Sequence, residues 1–207
     1  MKRSVLIPFL IAEALLYVSF LFMDIYTVID TRWLKFASIL LIALMSLQAS
    51  EKSITAALCL TAAGDVFLLV LDRWYAIGVS LFIVVQLLYS LHLNDRLIQS
   101  IQIALAITSA FLALITNRIE MLAVGYILLF ILNLFQAGYQ TVKHKTTQTV
   151  RFFFGLLLFF FCDLCVGYYQ IGSGQLWSFA RIAMWLFYLP GQVLILLSVI
   201  TNQGEFQ

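Results

Sequence analysis

Charge is what this chain has least of. Only 11% of its 207 residues are Asp, Glu, Lys or Arg, and 63% are hydrophobic, whereas a soluble domain carries about 25% charged residues. The mean hydropathy is +1.03, which suits a lipid-facing surface rather than a watery one. Proline is scarce, with 2 residues, and glycine is modest at 10; a low-complexity or linker-rich chain is excluded. A net charge of +2 with scattered Lys and Arg leaves no basic face for nucleic acid. The 3 cysteines are Cys59, Cys162 and Cys165. Cys162 and Cys165 have the C-x-x-C spacing of some redox and metal sites. Both lie in an apolar stretch with no second Cys or His cluster, so they read as small buried hydrophobes.

What is present is a series of apolar runs, each of helix length for a bilayer, roughly 17–25 residues. They cover 4–23, 34–49, 52–71, 75–94, 98–116, 119–140, 149–171 and 177–201. Between them stand charged and turn residues: Asp24 to Arg32, Glu51-Lys52, Asp72-Arg73, Asn94-Asp95-Arg96, Asn117-Arg118, Lys143-His144-Lys145 and Gly172-Ser173-Gly174. The runs are continuous rather than alternating, which disfavours a β-barrel. The expectation is an all-α, polytopic transmembrane helical bundle of eight spans, one integral membrane domain over 1–207, with any site between helices or at their ends. The second span is short and its separation from the third is weak. The first run follows Lys2 and Arg3 like a signal peptide but lacks a small-x-small cleavage site, and it reads as a retained span. With the N-terminus inside, the cytoplasmic loops hold Lys2, Arg3, Lys52, Arg96, Lys143, Lys145 and Arg151, against Arg32, Lys35, Arg73, Arg118 and Arg181 outside. This weak bias favours both termini in the cytoplasm of a multi-pass protein of the cell membrane.

Two carboxylates interrupt the apolar runs: Asp65 in CLTAAGDVFLLV and Asp163 in FFFGLLLFFFCDLCVGYY. A charge at membrane depth costs a few kcal/mol on insertion scales and more on an isolated helix, so it marks a wet cavity, a partner or chemistry. Both lie on odd-numbered spans running the same way across the bilayer. Measured from the span ends, their depths differ by about 3 Å, so packed side by side the two spans would bring both into one pocket. Other polar groups reach a similar layer: Gln86, Tyr126, Tyr188, Gln192, Glu13 and Tyr17, with Lys35 and Arg181 near the mouth. Each has a plainer reading. The tyrosines suit packing or interfacial belts, the glutamines interhelical hydrogen bonds, and Lys35 and Arg181 snorkelling anchors. Glu13 can pair with a neighbour, and His92 and His144 read as solvated groups at span ends.

These residues resemble a known family. Gly64, Asp65, Leu68, Gly78, Phe82 and Tyr89 match the spacing of a signature in the YhhN family of lysoplasmalogenase-like membrane proteins. Lys35 is similar to the lysine opening that family's second span. Gly155, Phe159 and Asp163 resemble its second aspartate block, and Tyr188 and Gln192 its Tyr-x-x-x-Gln ending. Gln86 stands where the family usually has His, Cys162 where Ser precedes the second aspartate, and Phe36 where a Pro often follows the lysine. The aspartate pair is intact.

The resemblance implies hydrolysis of the vinyl-ether bond of a lysoplasmalogen, a lysophospholipid, to a fatty aldehyde and a glycerophospho-alcohol. A vinyl ether must be protonated on carbon; water captures the resulting oxocarbenium ion, and the hemiacetal collapses. One acid and one base suffice, with no metal and no organic cofactor. Desolvation penalises a charged carboxyl, so one can stay protonated near neutrality and act as the acid, while a second, ionised one steadies the cation and activates water. Paired carboxylates with separated roles recur in such chemistry, and glycoside hydrolysis passes through a similar cation. Asp65 and Asp163 are the catalytic candidates; Lys35, Gln86, Tyr188, Gln192, Arg181 and Glu13 are the binding or positioning candidates, with Lys35 and Arg181 suited to the substrate phosphate. Three rivals remain open. They are a proton- or cation-coupled small-molecule transporter, an intramembrane aspartyl protease, and a non-enzymatic receptor or scaffold. The protease is disfavoured because Gly-Asp falls on the earlier aspartate and no Pro-Ala-Leu is present.

Overall fold

The computed structural model describes residues 3–26, 29–171 and 175–200, and among these all regular structure is helical. The helices are α1 Arg3–Tyr26, α2 Arg32–Ser46, α3 Lys52–Asp65, α4 Tyr75–Leu93, α5 Arg96–Thr116, α6 Glu120–His144, α7 Thr147–Ile171 and α8 Gln175–Val199. A π-helical turn, Val66–Val70, continues α3 directly. Seven of the helical segments are long and apolar enough to cross a membrane. The eighth is α2. Its 15 residues reach about 22 Å at 1.5 Å per residue, short of a hydrocarbon core of about 30 Å. The second run of the sequence is therefore a helix but not a span-length one, because turn hydrogen bonds from Leu47, Gln48 and Ala49 close it just after Ser46.

Local chemistry explains the helix boundaries. The Asp95 carboxylate accepts from the N–H groups of Leu97 (3.1 Å) and Ile98 (3.2 Å), capping α5. Asn94 and Asn117 take left-handed φ values of 53° and 51° after α4 and α5, a conformation Asn tolerates at helix ends. Lys145 does the same after α6 at 50°. Asp72 and Trp74, also left-handed, turn the chain from the π-helical turn into α4, and the Tyr75 hydroxyl donates to the Asp72 carboxylate.

The chain divides into two compact units. The first joins the stretch up to Ser50 with everything from Thr147 onward: α7 packs along α8, α1 packs on α2, and α8 touches both α1 and α2. The second is the continuous stretch 51–146, in which α4 contacts α3, the π-helical turn, α5 and α6, and α5 packs on α6.

Both units bury polar side chains within an apolar core and expose large apolar ones. Glu13, Ser38, Gln86, Gln102, Asn133 and Gln192 are buried, while Leu114 is 82% and Phe135 75% exposed. On α1 the outward face is Ile7, Ile11, Leu15, Val18 and Phe22, a helical stripe of large apolar groups. Water penalises that surface and lipid does not, whereas the buried amides must find partners within the protein.

Glycine sets the closest helix contacts. A Cβ on Gly155 would sit 2.9 Å from the Ile195 backbone nitrogen and 3.0 Å from the Gly191 carbonyl oxygen. In the second unit a Cβ on Gly64 would meet the Phe82 ring at 2.9 Å, and one on Gly78 the Leu68 side chain at 2.5 Å. These are resemblance residues, and their first task is packing: Gly64, Leu68, Gly78 and Phe82 interlock α3, its π-helical turn and α4.

Candidate active site

In the second unit Asp65 is the last residue of α3, buried at 7% exposure, with the π-helical turn beginning at the next residue. The wider turn is visible in the Leu71 N–H, which donates to the Val66 carbonyl at 2.8 Å. Such turns recur at functional sites because they redirect one or two side chains without ending the helix. Gly64, one residue earlier, lets the Phe82 ring close over the backbone here, and Phe82 in turn meets Tyr126 edge-on at 6.0 Å.

Gln86 lies in the same unit and makes a buried amide chain. Gln102 donates to the Asn133 side-chain oxygen at 2.9 Å; Asn133 donates to the Gln86 side-chain oxygen at 2.9 Å and to the Gln86 carbonyl at 2.8 Å. The chain ties α4, α5 and α6 together. The oxygen of Gln86 is thereby committed to interhelical bonding, and among the described residues its side-chain nitrogen has no hydrogen-bond partner.

In the first unit Asp163 is half-buried on α7. Gly155, Phe159 and Asp163 follow at four-residue spacing and so share one helix face. Gly155 meets α8 at Gly191 and Ile195, and Phe159 meets Tyr188 at 5.4 Å between ring centroids. Asp163 continues that face one turn further. Tyr188 and Gln192 are both buried on α8, on either side of Pro190 and Gly191. Neither polar side-chain atom of Gln192 has a hydrogen-bond partner among the described residues. Glu13, on α1, is 3% exposed, and neither of its oxygens has a hydrogen-bond partner among the described residues. The Ser38 hydroxyl of α2 is its electrostatic neighbour without making a bond of ordinary geometry.

Lys35 is not a free cation at a pocket mouth. Its ammonium lies 2.6 Å from the Asp24 carboxylate, whose other oxygen accepts from the Thr31 hydroxyl at 2.5 Å. The ammonium also sits 4.7 Å from the Trp185 ring centroid and 5.9 Å from that of Phe20, within cation–π range. Trp185 stacks edge-on against Phe20 at 5.8 Å and Tyr188 at 5.5 Å. One lysine thus joins α1, α2 and α8, and a ladder of aromatic rings runs from it to Phe159. Arg181 is exposed on α8, and its positive charge bears on Lys35.

The structure brings Glu13, Lys35, Arg181, Tyr188, Gln192 and Asp163 into one unit, and Asp65 with Gln86 into the other. Asp24, Thr31, Phe20 and Trp185 were not foreseen around Lys35, nor Gln102 and Asn133 around Gln86. Gln102 and Asn133 carried a usable signal, each being an isolated carboxamide in an apolar run. Asp24 carried none, because it reads as a loop residue.

The fold and these buried polar groups define a class: a polytopic helical membrane protein whose interior carries acidic and amide side chains on apolar helices. The family follows from the sequence itself. Residues 30–199 match the YhhN family, and the chain belongs to it. No curated protein and no solved structure matches it.

Proposed function

We propose that the protein is an intramembrane hydrolase that cleaves the vinyl-ether bond of lysoplasmalogens, with Asp65 and Asp163 as its acid and base. The observation that carries this reading is the burial of Asp65 at the π-helical turn of an apolar helix, within the block that the YhhN family shares. An ionisable group in such a place is functional by default. Asp163, on the face of α7 that packs on α8, supplies the second carboxyl. One protonates the alkenyl carbon, and the other steadies the oxocarbenium ion and takes the proton of the attacking water. Tyr188 and Gln192 position the water or the carboxyls. Glu13 adds a third acidic side chain, and the unbonded side-chain nitrogen of Gln86 a donor.

The substrate is a lysophospholipid, and exposed Arg181 is the natural contact for its phosphate, with Lys35 beside it. Asp24 neutralises much of the charge of Lys35, so Arg181 carries the larger share. Both termini lie in the cytoplasm of the cell membrane only if α2 completes a crossing by drawing its flanking residues into the bilayer.

Coupled transport is the second reading, favoured by the helix irregularities at Val66–Val70 and Pro190, since carriers place broken helices at their sites. Purified protein given a lysoplasmalogen and its ester analogue separates the readings. Aldehyde release from the first supports hydrolysis. Cleavage of the ester alone makes it a different lipase, and proton-dependent uptake into liposomes without turnover makes it a carrier.

A further inference from the structure

A second polar site lies wholly within the second unit, at the end formed by the close of α4, the start of α5 and the close of α6. A cavity of about 330 Å³ opens there, within the range of small-ligand sites. Its frame is pinned: the Gln140 side chain donates to the Leu93 carbonyl at 2.6 Å, and left-handed Asn94 closes α4 beside it.

The lining is cationic. Arg96 and Lys143 border the cavity, and among the described residues neither has a carboxylate within salt-bridge distance. Asp95 also borders it; one oxygen of its carboxylate accepts from the backbone of Leu97 and Ile98, and its single negative charge is outweighed by the two cations. Gln136 is a second, independent sign. It lines the cavity at 5% exposure, and neither its side-chain oxygen nor its nitrogen has a hydrogen-bond partner among the described residues. A buried amide left unbonded is costly, and a ligand oxygen is a suitable partner for its N–H. Tyr139, which lines the cavity, is strongly exposed, as are Leu97 and Val142, the chain neighbours of Arg96 and Lys143, so a lipid chain finds apolar surface beside the charged residues.

We infer that this cavity binds a phosphate-bearing anion, with Arg96 and Lys143 pairing its charge and Gln136 donating from the floor. Free phosphate and the head group of an anionic phospholipid offer the same chemistry, and the position at the ends of three apolar helices is head-group depth. The site shares no residue with the proposed hydrolytic one and stands or falls separately.

The test uses the full-length protein in phosphatidylcholine nanodiscs with and without phosphatidic acid. Lipid retained after extraction is counted by native mass spectrometry, and inorganic phosphate is added as competitor. Wild-type protein retains phosphatidic acid over phosphatidylcholine, R96Q/K143Q loses that preference by roughly tenfold or more, and Q136L, which removes no charge, weakens it several-fold. Displacement by inorganic phosphate shows that the phosphate group alone suffices; variant-dependent retention without displacement shows that the lipid is required. Equal retention of both lipids by wild-type protein, together with no phosphate binding, overturns the site. So does retention unchanged by R96Q/K143Q. Retention that falls in R96Q/K143Q but not in Q136L is diffuse surface attraction, and it overturns the cavity as its seat.

Discussion

The contact of α7 with α8 sets where Asp163 and Tyr188 stand, and Gly155→Ala tests it. The new Cβ would lie 2.9 Å from the backbone nitrogen of Ile195 and 3.0 Å from the Gly191 carbonyl oxygen. Ordinary contact between heavy atoms begins near 3.5 Å, so the helices must part by roughly 0.5 Å or more, and neither backbone atom can rotate away. Overpacking of this kind costs about 1–3 kcal/mol. The substitution also improves helix propensity, by up to about 1 kcal/mol, which hides part of the cost. Gly167, on the same helix, has nothing within 4 Å of an added Cβ. Gly167→Ala therefore receives the propensity gain without the clash. The difference between the two variants isolates the packing cost, and it is expected to be about 1–3 kcal/mol, read from reversible unfolding in mixed micelles titrated with sodium dodecyl sulfate. Equal midpoints for Gly155→Ala and Gly167→Ala would refute the close α7–α8 contact. Because a misplacement of about 1 Å can cost about a hundredfold in rate, Gly155→Ala is also expected to lose aldehyde release well beyond its loss of stability.

The Lys35–Asp24 pair, with side chains only 10% and 13% exposed, predicts an asymmetric cycle. Asp24→Leu alone strands a buried ammonium and costs about 3–5 kcal/mol, while Asp24→Leu with Lys35→Met recovers most of it; the same micelle titration measures both. Asn133→Leu breaks three hydrogen bonds at once, and at membrane averages of about 0.6 kcal/mol each it should destabilise by about 1–2 kcal/mol. Adding Gln86→Leu and Gln102→Leu should return part of that loss, since no buried partner is then left unbonded. Arg181→Gln should raise KM for a lysophospholipid with little change in kcat, whereas an unchanged KM would remove Arg181 from phosphate binding.

Helix placement was largely legible because the membrane demands long apolar runs and loops concentrate the charges. Asn94 and Asn117 announced their helix ends, since Asn accepts left-handed backbone. Trp74 and Lys145 did not, since neither favours it. The shortness of α2 was half visible in its run but not its stop at Ser46, which turn hydrogen bonds impose. Among the candidate residues, isolated polar groups in apolar helices were good guides to burial: Glu13, Asp65, Gln86 and Gln192 are all buried. Which of them pair was not legible. Asp24 reaches Lys35 from the end of another helix, and Asn133 reaches Gln86 across 47 residues. Both contacts depend on how the helices pack, which no local pattern encodes. The π-helical turn after Asp65 was likewise not legible: Val66–Val70 holds no helix-breaking residue, and the packing of Leu68 and Phe82 on Gly78 and Gly64 is a tertiary contact.

The most direct test is aldehyde release from a lysoplasmalogen by purified wild-type, Asp65→Asn, Asp163→Asn and doubly substituted protein, each shown to be folded. Wild-type turnover is expected, with a loss of about 10²–10⁴-fold in each single variant, and a double variant little worse than either, as the proposed acid and base would serve one reaction. Near-normal turnover in either single variant, or losses that simply multiply in the double, would contradict the account.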